Sequence, residues 1–145
     1  MSLPNIPHLE AKPYGPESTK AQIEALRARV CFVESNVIYF KEVYFQTIFQ
    51  IDVMFDELNR LRTDLLEWYL IVDLTQTTQP SAEIRAHIRN KYLNMKNPQL
   101  IVLVVGNNYL IRLAARFVAG RSLKTPYLVV SSLDVALQKV RQNMA

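Results

Sequence analysis

The segment Leu100-Ile-Val-Leu-Val-Val105 has no polar residue. Six apolar residues are too few for a membrane span, which needs about 20, and suit a strand. A strand apolar on both faces must be covered on both faces, which calls for a sheet sandwiched by helices. The spacing elsewhere agrees. Trp68-Tyr-Leu-Ile-Val72 and Tyr127–Val130 read as further buried strands. Between them lie helical periodicities over about Phe45–Leu66, Ser81–Met95 and the stretch after Asn108, with a last helix near the C-terminus. The inward positions expected are Ile48, Ile51, Phe55, Leu58, Leu61 and Leu65 in the first, and Ile84, Ile88, Tyr92 and Met95 in the second. Those in the third are Leu110, Leu113, Ala114, Phe117 and Val118, and those in the last are Leu133, Ala136, Leu137 and Val140. Gly120 fits a helix C-cap, and Ser131-x-x-Asp134 resembles a capping box.

Upstream, Arg29–Glu34 and Val37–Glu42 are rich in β-branched and aromatic residues and flank Ser35-Asn36, the pattern of a hairpin whose Asn can take left-handed geometry. The expected order is therefore β-β-α-β-α-β-α-β-α, an α/β fold with a mixed, mostly parallel sheet. Four of the seven prolines fall before Lys20, so residues 1–22 read as an extended or disordered arm and residues 23–145 as one domain.

The N-terminus lacks a basic segment followed by an apolar one, and the single Cys31 has no partner for an internal disulfide. Both features lead to the expectation of a cytoplasmic protein, and the lack of an apolar run of about 18 residues to that of no transmembrane segment. The net charge of +4 is uneven. Residues 1–80 carry 7 Lys+Arg against 11 Asp+Glu, and residues 81–145 carry 10 against 2. The split fits an anionic partner, oppositely charged faces in a homodimer, or a solvated helical surface.

The residues that carry common chemistries are sparse. His8 and His87 are the only histidines; His87 lies four residues after Glu83 and can share its helix face, but two residues do not make a metal site and no H-E-x-x-H is present, so none is expected. Three glycines exclude a glycine-rich phosphate loop, and there is no G-x-S-x-G. No catalytic residue and no cofactor are therefore assigned. Asp73 closes a buried strand and reads either as an acid or metal ligand or as a residue bonding the loop that follows. That loop, Asp73-Leu-Thr-Gln-Thr-Thr-Gln-Pro-Ser81, carries Thr75, Thr77, Thr78 and Ser81 from a strand's carboxyl end to a helix start. Partners and anions favour such rims, although Thr78 or Ser81 can equally be plain caps. The pairs Arg85/Arg89 and Arg112/Arg116, each four residues apart, offer candidate anion-binding faces. Nucleic acid is disfavoured, because no recognition motif accompanies the charge.

Leu70-Ile-Val-Asp-Leu-Thr75, Leu100–Gly106 with Asn107-Asn-Tyr-Leu-Ile-Arg-Leu-Ala-Ala-Arg116, and Tyr127-Leu-Val-Val-Ser-Ser-Leu-Asp-Val-Ala-Leu137 carry a resemblance. Through them residues 28–144 resemble STAS-like, SpoIIAA-like domains, the group that includes bacterial anti-sigma-factor antagonists. The resemblance implies a regulatory module that docks other proteins, with an anti-sigma factor or kinase-like regulator as the type of partner. It also implies phosphorylation at the start of the helix after the central strand, where Ser81 is the matching position. Here that serine stands in Gln79-Pro-Ser-Ala-Glu83 rather than Asp-Ser-Ser-Gly. The expected docking surface comprises Asp73, Thr75, Thr77, Thr78, Ser81, Arg85, Gly106, Asn107 and Asn108. The alternatives are a sensor of a small anionic or lipid-like ligand at the same rim, near Arg112 and Arg116, and a small hydrolase or transferase using Asp73.

Overall fold

The computed structural model describes residues 5–122 and 124–145. Its elements are α1 (Lys20–Arg27), β1 (Val30–Glu34), β2 (Val37–Lys41), α2 (Ile48–Arg62), β3 (Tyr69–Asp73), α3 (Ala82–Leu93), β4 (Leu100–Val104), α4 (Tyr109–Ser122), β5 (Tyr127–Val130) and α5 (Leu133–Met144). The five strands form one mixed sheet in the order β1-β2-β3-β4-β5. β1 runs antiparallel to β2, and β2 to β5 are parallel.

Alternate residues of each strand enter two different cores. Ile38, Phe40, Leu70, Val72, Ile101 and Leu103 pack on one face with Leu26 of α1, Ile51, Met54, Phe55 and Leu58 of α2, Ile84 and Ile88 of α3, and Ile111 and Ala115 of α4. Tyr39, Ile71, Val102 and Val104 pack on the other face against Ala136 and Val140 of α5, with Leu133 and Leu137 at its margin. Four helices thus cover one face and a single helix the other. All of β3 and β4 is buried, as their unbroken apolar sequences require.

The structure corrects several expectations. A helix, α1, spans the boundary placed at residue 22. Its Thr19-x-x-Gln22 capping box, with Thr19 Oγ1 accepting from the Gln22 amide, was present in the sequence as a start signal. The arm before it carries neither helix nor strand in residues 5–19, yet its Tyr14 is buried in the main core. Asn36 does not take positive φ. The hairpin instead absorbs an irregularity between Phe32 and Glu34, and such a bulge supplies local twist. In α2, Ile48 is exposed because it is the first helical residue after the Thr47 cap, and Gln50 and Met54 are buried in its place. Leu113 is exposed. The inward placement expected for Leu110, Ala114, Phe117 and Val118 lies outside the described side chains. Gly120 sits inside α4 rather than capping it, because the helix runs on to Ser122. The α5 cap is Ser132, one residue later than expected, with Oγ accepting from the Val135 amide at 3.2 Å.

Gly106, between β4 and α4, adopts φ +63°, a conformation that costs a residue with a Cβ about 1–2 kcal/mol. A Cβ there would meet only Thr75 Cγ2 at 3.5 Å, an ordinary contact, so backbone conformation rather than space sets the penalty. Gly106→Ala is expected to lower stability by about 1 kcal/mol in urea unfolding, with the native circular dichroism spectrum retained. An unchanged midpoint would contradict the assignment.

Candidate functional site

The carboxyl ends of β2, β3 and β4 open on the same edge of the sheet. Three backbone bonds extend the ladders there: Glu42 N–H to Asp73 O at 3.0 Å, Leu74 N–H to Val104 O at 2.7 Å and Val105 N–H to Val130 O at 2.9 Å. In open α/β sheets such an edge usually becomes a crevice where strand order reverses and successive helices diverge to opposite faces. Here the order rises without reversal, and α2, α3 and α4 share one face. The concavity is made instead by the N-terminal arm. Ile6 packs at the α5 side and Leu9 at the opposite side, so the arm crosses the rim. Tyr14 anchors it, donating from its hydroxyl to Glu10 O at 2.8 Å and accepting at its own carbonyl from Thr47 Oγ1. Between arm and rim lies a cleft of about 770 Å³, lined among others by Leu9, Glu10, Lys12, Arg29, Lys41 and Val43, by residues 75–79, and by Asn108 and Ile111.

The floor of this cleft is polar and buried. Arg29, 5% exposed, donates from Nε to Lys41 O at 2.9 Å and from Nη2 to Glu42 O at 2.9 Å and Gln76 Oε1 at 3.4 Å. Burial lowers its pKa, and the nearby Glu42 charge opposes that shift. Glu42 is itself buried, and desolvation raises its pKa above the ordinary carboxylate range despite hydrogen bonds from the Val43 amide at 3.0 Å and Gln50 Nε2 at 2.8 Å. Asp73 accepts from the Tyr39 hydroxyl and, through Oδ1, from the Thr75 amide at 2.9 Å and Thr75 Oγ1 at 2.6 Å. Desolvation and the Asp73 carboxylate together raise the Tyr39 pKa, which keeps the phenol protonated as a donor.

The residues singled out from the sequence fall into distinct groups. Asp73 bonds the loop that follows it, and both its oxygens are occupied. Thr78 secures the loop to the β2–α2 connection, with its amide and hydroxyl donating to Tyr44 O at 3.1 and 2.9 Å. Thr77 donates weakly to Thr78 O at 3.4 Å. Ser81 is exposed and caps α3, accepting from the Ile84 amide at 3.3 Å, while Arg85 folds back to donate to Pro80 O at 2.8 Å. Asn108 accepts from the Ile111 amide at 3.1 Å, and Asn107 is exposed beside it. Thr75, Thr77, Thr78 and Asn108 line the cleft, whereas Arg85, Arg89, Arg112 and Arg116 do not. His87 lies between α2 and α3, with Nε2 2.7 Å from Asp52 Oδ1, an oxygen that Lys91 Nζ shares at 2.9 Å. Among the described residues no three His, Cys, Asp or Glu side chains are grouped to hold a metal ion, and no helix is long and apolar enough to cross a membrane.

Two parts of the site escaped the sequence reading. Arg29 and Glu42 bracket the hairpin as charged residues abutting apolar runs, a pattern that signals either strand ends or a buried polar pair. Phe45 falls at the expected edge of a helix that begins only at Ile48, and Tyr44 lies in the connection before it, outside every expected element. Tyr44 and Phe45 are 47% and 41% exposed, with ring centroids 4.6 Å apart in an edge-to-face arrangement. The Thr47-x-x-Gln50 capping box marks that helix start and leaves both aromatics outside it.

No family model, curated protein or solved structure matches the chain.

The raised Glu42 pKa has a definite consequence. A carboxyl group that holds its proton more tightly when folded contributes stability that is lost as pH rises through the folded value. Glu42 therefore destabilises the native state as pH rises above the ordinary carboxylate range. Glu42→Gln keeps acceptors for Val43 and Gln50 and removes the charge. In urea unfolding between pH 4 and pH 8, the variant is expected to gain stability relative to wild type as pH rises. A constant difference across that range would contradict a buried, charge-penalised Glu42.

Proposed function

We propose that the chain is a STAS-like, SpoIIAA-like module that works in the cytoplasm by docking a partner protein and catalyses no reaction. The contact surface in this reading is the β2–α2 connection together with the loop over residues 74–81 and the start of α3. The observation that carries it is the exposed Tyr44–Phe45 pair. Aromatic side chains are over-represented among residues that dominate protein interfaces, and exposed apolar groups clustered within a polar rim mark such sites. Ile48, the first residue of α2, is exposed as well. The Tyr44 carbonyl receives both Thr78 bonds, so the aromatic pair and the threonine-rich loop are displayed as one unit.

Further support comes from how the loop's polar groups are used. Asp73, Thr75, Thr78 and Ser81 each hold local backbone or side-chain geometry. Nucleophilic chemistry needs a hydroxyl beside a base. The Thr75 hydroxyl does meet a carboxylate, but that Asp73 oxygen also takes the Thr75 amide, so the pair closes a turn at the start of the loop. The order of elements after α1, β-β-α-β-α-β-α-β-α, is the one expected from the sequence pattern and supports an α/β module. Ser81, exposed at the helix start, would place about −1.5 to −2 charges there on phosphorylation, next to the surface proposed for docking.

The test is affinity capture from the native cell with quantitative mass spectrometry. Tyr44→Ala/Phe45→Ala is expected to reduce recovery of the principal partner at least about tenfold, the scale of a single interface hot spot. Ser81→Asp is expected to change that recovery as well, and both proteins should melt within about 2 °C of wild type, as surface substitutions do. Equal recovery of the same proteins by wild type and both folded variants would contradict the assigned surface.

A further inference from the structure

The docking reading makes no use of the charge on Arg29. That guanidinium stays protonated at neutral pH, is 5% exposed and faces the rim cleft. Its three hydrogen bonds, from Nε and Nη2, all end on neutral oxygens: two backbone carbonyls and the Gln76 amide. Glu42 and Asp73 attract the guanidinium only across a distance, and the hydrogen bonds of both carboxylates go to other groups. Glu42 Oε1 accepts from Val43 and Gln50, and Asp73 accepts from Tyr39 and Thr75. Among the described residues no carboxylate forms an ion pair with Arg29. Buried charges are ordinarily paired, because removing an ion from water is expensive. A buried cation without a direct counterion, on the wall of a cleft, leaves the place of the counterion to a bound group.

The rest of the cleft describes that group. Lys41 and Lys12 also line it, so three permanent cations face the single carboxylate of Glu10. Leu9, Val43 and Ile111 supply apolar wall. A volume of about 770 Å³ falls in the range typical of small-molecule sites, and apolar walls with a few convergent polar groups are their usual composition. We infer that the cleft beneath the N-terminal arm binds a small organic acid, a carboxylate or phosphate monoester with an apolar body, with Arg29 and Lys41 meeting the acidic group. The planar guanidinium suits either oxyanion. The arm forms the outer wall, so the ligand is held between residues 9–12 and the sheet edge.

The full-length chain, arm included, is titrated calorimetrically with hexanoate, hexyl phosphate and, as the uncharged control, hexanol. At least one anion is expected to bind and to raise the melting temperature, since a ligand of the native state alone stabilises it, while hexanol does neither. The two anions separate carboxylate from phosphate preference. Lys41→Gln is expected to weaken the bound anion about tenfold, the loss of one charged contact, with the melting temperature of the free protein unchanged. Arg29→Met is expected to abolish binding. If that variant fails to fold, Lys41→Gln decides alone. Absence of binding by both anions, binding of hexanol as tight as that of the anions, or full affinity in Lys41→Gln would overturn the assignment. Such a failure leaves the docking surface standing, because partner capture reads that surface without any added ligand.

Discussion

The Arg29 guanidinium, closed on the carbonyls of Lys41 and Glu42, is the contact on which the carboxyl edge of the sheet depends. It lies just before β1 and grips the end of β2, and the backbone pair from Lys41 N–H to Arg29 O closes the same hairpin end. Its third bond reaches Gln76 in the loop after β3. One side chain therefore fixes three segments that are distant in sequence. A guanidinium can do this because its donors leave in a rigid planar fork. Removing it would strand two buried carbonyls, each costly to leave unpaired.

Around that clasp, burial raises the pKa of Glu42 and of Tyr39, and both groups serve as hydrogen-bonding elements of the scaffold. Asp73 takes its hydrogen bonds from neighbours within the same edge. The polar residues at the strand ends are thus spent on holding the loop over residues 74–81 in place. What the edge presents outward is a threonine-rich loop, an aromatic pair and a cleft roofed by the arm. Because α2, α3 and α4 all lie on one face, the strand order leaves no natural crevice, and the arm creates the enclosure. Tyr14, the one deeply buried residue among the described residues of the arm, locks it to Thr47 at the start of α2. Loop, aromatics and arm are consequently parts of one structural unit.

Much of this architecture was legible in the sequence, because β3 and β4 are apolar throughout and their helices keep a clean spacing of three and four. The position of Ser81 as the α3 cap and the loop-bonding role of Asp73 were also among the readings open to it. The rest depended on long-range contacts that periodicity does not encode. Proline content makes residues 1–22 look detached, but prolines bar regular structure rather than docking, and Tyr14 is buried in the main core. Arg29 and Glu42 read as ordinary ends of a hairpin, since nothing local distinguishes a solvated charge from one folded beneath a later loop. Helical period carries the expected start of α2 past its Thr47 cap to Phe45, and Tyr44, between the expected strand and helix, has no periodicity to mark it. The arginine ladders drew attention to charge on helix faces, whereas the cations lining the cleft come from a strand end, from the residue before a strand and from the arm.

The central claim is that Arg29 is buried and bonded to the backbone at the sheet edge, and its Nε–Hε group reports on this directly. Solvent exchange of arginine Nε–Hε protons, measured by ¹⁵N-resolved NMR with the Arg29 resonance assigned by its loss in Arg29→Lys, separates the outcomes. This proton is expected to exchange far more slowly than those of the exposed Arg27 and Arg116, because it is buried and bonded to Lys41 O. Exchange as fast as theirs would mean that the clasp, and the edge built on it, does not exist in solution.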